Sequence, residues 1–109
     1  MQFETTAFEG LLILKPNLYI DERGSFSESF RLDILELALD HVVDFVQDNE
    51  TYSEFGVIRG LHYQEAPFSQ SKLVRVVQGK VWDVVVDLRT HSKTFKKVFE
   101  IELSAENKK

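Results

Sequence analysis

Two valine-rich runs, Leu73–Val77 and Val81–Leu88, stand on either side of Gln78-Gly79. β-Branched side chains at that density pack best on a pleated surface, so both runs read as strands. Gln-Gly between them is a two-residue hairpin turn. Closing that turn fixes a register in which Val76 faces Val81, Val74 faces Asp83 and Lys72 faces Val85. Lys72, Val74, Val76, Val81, Asp83 and Val85 then share one face, because facing residues share a sheet face. Leu73, Arg75, Val77, Trp82, Val84 and Val86 share the other. Both faces are largely apolar, so this hairpin is expected to be covered on both sides.

The remaining pattern is also mostly β. Gly10–Lys15 reads as a short apolar strand, and Asp21-Glu22-Arg23-Gly24 as a polar turn. From Phe26 to Phe30 apolar and polar residues alternate, which predicts a strand. Leu32, Leu35 and Leu39 recur at helical spacing and predict one short helix over 32–39. Val43–Gln47 turns β-branched again. Phe95–Leu103 places Phe99, Ile101 and Leu103 on one face and Glu100 and Glu102 on the other, a half-exposed strand. Several short strands and one helix predict an all-β sandwich or barrel.

At 109 residues the chain is one domain at most. Hydrophobic residues at 43% and charged residues at 28% fit a globular fold rather than a disordered one. No run of about 18 apolar residues exists, so no membrane span is expected. The N-terminal MQFETTAFEG has no basic segment followed by an apolar one, so no signal peptide is expected. Cysteine is absent, which removes disulfides, thiolate metal sites and cysteine nucleophiles, and fits the cytoplasm. A net charge of −5 argues against bulk nucleic-acid binding, which needs clustered cations on phosphates. It leaves room for a small anionic ligand, since local cations decide that.

Four groups of residues could carry chemistry. Lys72 and Asp83 are diagonal neighbours in the register above, either a rim ion pair or a lysine held in an apolar cavity, where charge usually has a task. Arg59, His62, Tyr63 and Gln64 crowd into VIRGLHYQ (57–64). Alternation puts Arg59 and His62 on opposite faces, three residues apart. A kink at Gly60 would restore a common face. Without it, Arg59 is a surface cation and His62 a structural or surface histidine. Gln47-Asp48-Asn49 follows a strand and, taken alone, reads as a turn. His41, His62 and His91 are too scattered for a metal motif, and neither a phosphate-binding glycine loop nor a nucleophile elbow is present.

Taken together, DERGSFSESF, FVQDN, GVIRGLHYQ, SQSKLVRVVQGKVWDVVVDLR and LSAEN, in this order and spacing, resemble the dTDP-4-dehydrorhamnose 3,5-epimerase family. The resemblance runs from Ile20 to Asn107. RGLHYQ, followed ten residues after its histidine by Lys-Leu-Val, is its most specific part.

The resemblance implies a cupin-type jelly roll (a double-stranded β-helix), with residues 1–109 as the N-terminal portion of one such domain and the C-terminal strands beyond it. It implies a homodimer that exchanges N-terminal strands. It also implies inversion of carbons 3 and 5 of a dTDP-linked 4-keto-6-deoxy sugar, on the way to dTDP-L-rhamnose, with neither metal nor organic cofactor. By resemblance His62 is the base, Lys72 lies near the keto oxygen, and Asp83 orients His62 or pairs with Lys72. Arg23, Glu28, Gln47, Asn49 and Arg59 match positions that hold the nucleotide sugar, with Arg23 serving the partner subunit's site. The family's proton-donor tyrosine is expected beyond Lys109. The alternatives are a non-catalytic nucleotide-sugar-binding module and a fragment that only dimerises.

Overall fold

A computed structural model describes residues 1–39 and 41–109. Six strands form three antiparallel pairs: β1 (Gln2–Thr5) with β2 (Leu12–Lys15), β3 (Leu18–Asp21) with β4 (Gly24–Ser27), and β5 (Lys80–Val86) with β6 (Val98–Ser104). One helix, α1 (Leu32–Leu39), lies between β4 and β5. The all-β character with a single short helix follows from the alternation and leucine spacing of the sequence.

Local chemistry accounts for each element. The β3–β4 hairpin turns at Glu22-Arg23, with Asp21 opposite Gly24. Asp21 Oδ1 accepts the Arg23 backbone N–H at 2.9 Å, which shapes the turn from its own side chain. Gly24 has φ +129°, a backbone region that side chains other than glycine rarely adopt. In α1 the Leu35 N–H donates to the Arg31 carbonyl at 3.1 Å, so Arg31 caps the helix, and Asp33 sits in the first turn where the helix dipole favours an anion. Leu35 is the buried residue of the helix, and Val43 is buried after it. Phe30 and Phe45 meet edge to face at 5.9 Å.

Two expected strands differ from the sequence pattern. Leu73–Val77 does not pair with β5; the chain bends at 77–79 instead. Gly79 adopts φ +71°, and its carbonyl accepts the Ala105 N–H at 3.0 Å. That carbonyl is spent on the end of β6, and Lys80 pairs with Ser104 rather than with Val77. The partner of β5 is therefore β6, with Val81 opposite Leu103, Asp83 opposite Ile101 and Val85 opposite Phe99. Val43–Gln47 likewise joins no ladder, and the strand expected over Phe26–Phe30 is Gly24–Ser27. Alternation marks a segment as able to pair without naming its partner.

The buried hydrophobic residues are Phe8, Leu35, Val43 and Leu103. Phe8 meets Phe99 edge-on at 5.9 Å and joins the N-terminal hairpin to β6. The expected double covering of the Val-rich hairpin does not occur, since Trp82 and Val81 are exposed. The radius of gyration is 15.3 Å, against about 13 Å for a compact domain of this length.

Candidate active site

On β6, Phe99, Ile101 and Leu103 project to one side of the sheet and Glu100 and Glu102 to the other, as the alternation predicts. Asp83 stands opposite Ile101 and so belongs to the apolar side. This side floors a cavity of about 770 Å³. Leu12 and Leu14 of β2 form one wall. The strandless segments 59–64 and 72–77 form the rest.

Arg59, His62, Lys72 and Asp83 all line this cavity. Gly60 has φ +114°, and a Cβ built there would lie 3.5 Å from His62 Nδ1. The backbone kinks where glycine permits it, and both neighbouring side chains reach the same space despite their odd separation. Arg59 is oriented by Ser53, whose hydroxyl accepts its Nε–H at 3.0 Å, and by the Tyr52 carbonyl, which accepts from Nη2 at 3.3 Å. Among the described residues no carboxylate lies within ion-pair distance of Arg59 or Lys72. Lys72 and Asp83 are therefore not the rim ion pair that spacing allowed.

Three further cations line the cavity: Arg75, Lys108 and Lys109. The hairpin register had set Arg75 on the face away from Lys72, and nothing in the pattern singled out the terminal lysines. Five cationic side chains thus surround one carboxylate, Asp83, in a chain whose net charge is −5. Field lines from such a cluster focus in an apolar-walled cleft and favour an anionic ligand. A histidine in that setting can accept a proton from carbon while neighbouring cations stabilise the negative charge left behind.

The other sequence-derived candidates lie elsewhere. Arg23 sits at the tip of the β3–β4 hairpin, in a separate concavity with Tyr19, Ile20 and Phe26. Its Nη2 donates to Asp21 Oδ2 at 2.6 Å, and this guanidinium holds the Asp21 carboxyl below the usual carboxylate range. Glu28 pairs with Arg31 at 3.3 Å beside the cavity, between Ser27 and Ser29, which do line it. Gln47 Nε2 donates to Asn49 Oδ1 at 3.0 Å on an exposed segment. Tyr63 lines the cavity and donates its hydroxyl to Glu65 at 3.2 Å.

The sequence profile of the dTDP-4-dehydrorhamnose 3,5-epimerases matches residues 5–109. The dTDP-4-dehydrorhamnose 3,5-epimerase of Shigella flexneri is 51% identical over 104 residues, covering 95% of this chain and 58% of its own. The crystal structure of the corresponding epimerase from Elizabethkingia anophelis NUHP1 superposes with a TM-score of 0.93 at 44% identity, over 99% of this chain and 59% of its own. A dTDP-6-deoxy-D-glucose-3,5-epimerase from Legionella pneumophila, solved in complex with dTDP-4-keto-L-rhamnose, superposes at 0.89 with 45% identity, over 97% and 56% of the two chains. The chain thus spans a little over half the length of the relatives it matches. The fold it shares with them is the cupin-type jelly roll.

Proposed function

The chain belongs to the dTDP-4-dehydrorhamnose 3,5-epimerase family, and from that premise we propose that its cavity binds a dTDP-linked 4-keto-6-deoxy sugar and inverts carbons 3 and 5. The observation that carries this reading is the cavity itself: His62 and five cations around one carboxylate, in an acidic chain. A nucleoside diphosphate is the anion, and a proton alpha to a ketone is the target of the base.

In this reading the His62 imidazole removes the proton from carbon 3 or 5. The C–H electron pair moves into the ring bond and leaves an enolate on the keto oxygen. The Lys72 ammonium meets that oxygen, a charge interaction that counts for more in a water-poor cleft. A proton then returns to the opposite face of the carbon and completes the inversion. Asp83 orients His62 or tempers Lys72. Arg59 holds diphosphate oxygens through its forked donors, and Glu28, Gln47 and Asn49 contact the rest of the nucleotide sugar.

Residues 1–109 are, on this reading, the N-terminal portion of one jelly-roll domain, acting in dTDP-L-rhamnose biosynthesis in the cytoplasm. No helix among the described residues is long and apolar enough to cross a membrane. A homodimer with exchanged N-terminal strands accounts for the position of Arg23: on its own hairpin it lies outside the cavity, and in a dimer it would serve the partner subunit's site. Ile20 at 75% exposure and Phe26 at 65% on that hairpin supply apolar surface for such a contact.

A second reading, binding without turnover, is favoured by one feature. Segment 72–77, which carries Lys72, has no ladder to β5, which carries Asp83. Electrostatic catalysis needs groups held to within a fraction of an ångström, whereas binding tolerates looser walls. Solvent deuterium uptake into the keto sugar separates the two. The epimerase reading predicts deuterium at carbons 3 and 5, and a fall of about 10²- to 10⁴-fold in that rate for His62→Ala. No uptake with the unmodified chain rejects catalysis.

A further inference from the structure

Immediately after β5, Asp87 forms a polar junction outside the cavity, its side chain only 2% exposed. Oδ1 accepts Arg89 Nε–H at 2.9 Å and the Arg89 backbone N–H at 3.0 Å. Oδ2 accepts from Arg89 Nη2 at 2.9 Å and from the Thr94 hydroxyl at 2.6 Å. Ser92 Oγ lies 2.9 Å from Thr94 Oγ1 and accepts the Thr94 N–H at 3.1 Å. With both carboxylate oxygens doubly occupied, the plane of the guanidinium is set. Its remaining nitrogen, Nη1, is aimed across the fold and donates to the Glu9 carbonyl at 2.9 Å, eighty positions away in sequence.

Glu9 lies in the turn between β1 and β2. The turn is itself stiff: Thr6 Oγ1 donates to the Leu11 carbonyl at 2.9 Å and accepts the Phe8 N–H at 3.0 Å. Arg89 therefore grips a preformed loop rather than a slack one. Phe8 beside it is buried against Phe99. Beyond the turn, Leu12 and Leu14 wall the cavity opposite Asp83.

We propose that Arg89 is a positioning residue: locked by Asp87, it holds the β1–β2 hairpin as the wall of the cavity that faces β5. The proposal rests on the nucleotide-sugar reading only for the identity of the ligand. A planar fork can satisfy a carboxylate and a carbonyl at once, and a lysine ammonium does so poorly.

Amide hydrogen exchange and dTDP calorimetry on the unmodified chain, Arg89→Ala and Arg89→Lys test this. Arg89→Ala is expected to speed exchange in β2 about tenfold relative to the β5–β6 ladder, and to weaken dTDP binding about fivefold. Arg89→Lys should recover part of both changes, and it carries the same test if the alanine variant does not fold. Unchanged exchange in β2, or equal acceleration in β2 and β5–β6, overturns the clamp. So does undiminished dTDP affinity in Arg89→Ala where the unmodified chain binds dTDP. Loosening confined to β2 in a chain that binds no dTDP supports the clamp and rejects the nucleotide-sugar reading, so the two failures stay distinct.

Discussion

Asp87 is the most heavily coordinated carboxylate among the described residues. Arg89 foremost, then the hydroxyls of Ser92 and Thr94, hold it far below the usual carboxylate range. An unfolded aspartate titrates near about 3.9. Between that value and the lower folded one, the unfolded chain binds the extra proton. The stabilisation is therefore complete above about pH 4 and drains away as pH falls further. Asn cannot titrate and cannot accept the fork as an anion. Asp87→Asn should lower the thermal midpoint at pH 7 and show a shallower loss of stability on acidification. Thermal melts from pH 7 to pH 2 check this, and equal midpoints with parallel acid limbs would contradict it. Legibility at this scale was uneven. Gly60 was readable as a kink because only glycine takes its backbone without strain. The Asp87 junction was not, since Asp-Leu-Arg followed by Ser and Thr looks like any polar loop until burial is known. Arg75 was hidden by a register that the chain does not adopt.

Hairpins are the units from which the cavity is built, and each is held to the next by few contacts. Phe8 carries most of the apolar link between β1–β2 and β5–β6 through its edge contact with Phe99. Phe8→Ala should cost about 3 kcal/mol, the lower end for losing a buried aromatic ring. Urea denaturation would measure it; a change below about 1 kcal/mol would mean that the ring packs too loosely to matter. The helix was legible because Leu32, Leu35 and Leu39 repeat every three or four residues, a period no strand can use. The β6 faces were legible for the complementary reason, with Glu100 and Glu102 alternating against Phe99, Ile101 and Leu103. Pairing was not legible. Leu73–Val77 is as strand-like as β5, yet the Gly79 carbonyl bonds Ala105 and directs β5 to β6. Turn chemistry between two runs cannot report a competing partner twenty residues downstream.

For the molecule as a whole, charge and shape point the same way. An acidic chain concentrates Arg59, Lys72, Arg75, Lys108 and Lys109 around one cavity, and cations so placed repel one another unless an anion joins them. Net charge hinted at none of this, since it averages over the surface the cavity departs from. The central claim is that a dTDP-linked 4-keto-6-deoxy sugar is that anion. Calorimetric titration of the unmodified chain with this sugar tests it most directly. The account predicts saturable heat from one site per chain, weakening as ionic strength rises from about 0.01 to 0.15 M and the screening length shortens. No saturable heat at low ionic strength, or an affinity indifferent to salt, would contradict it.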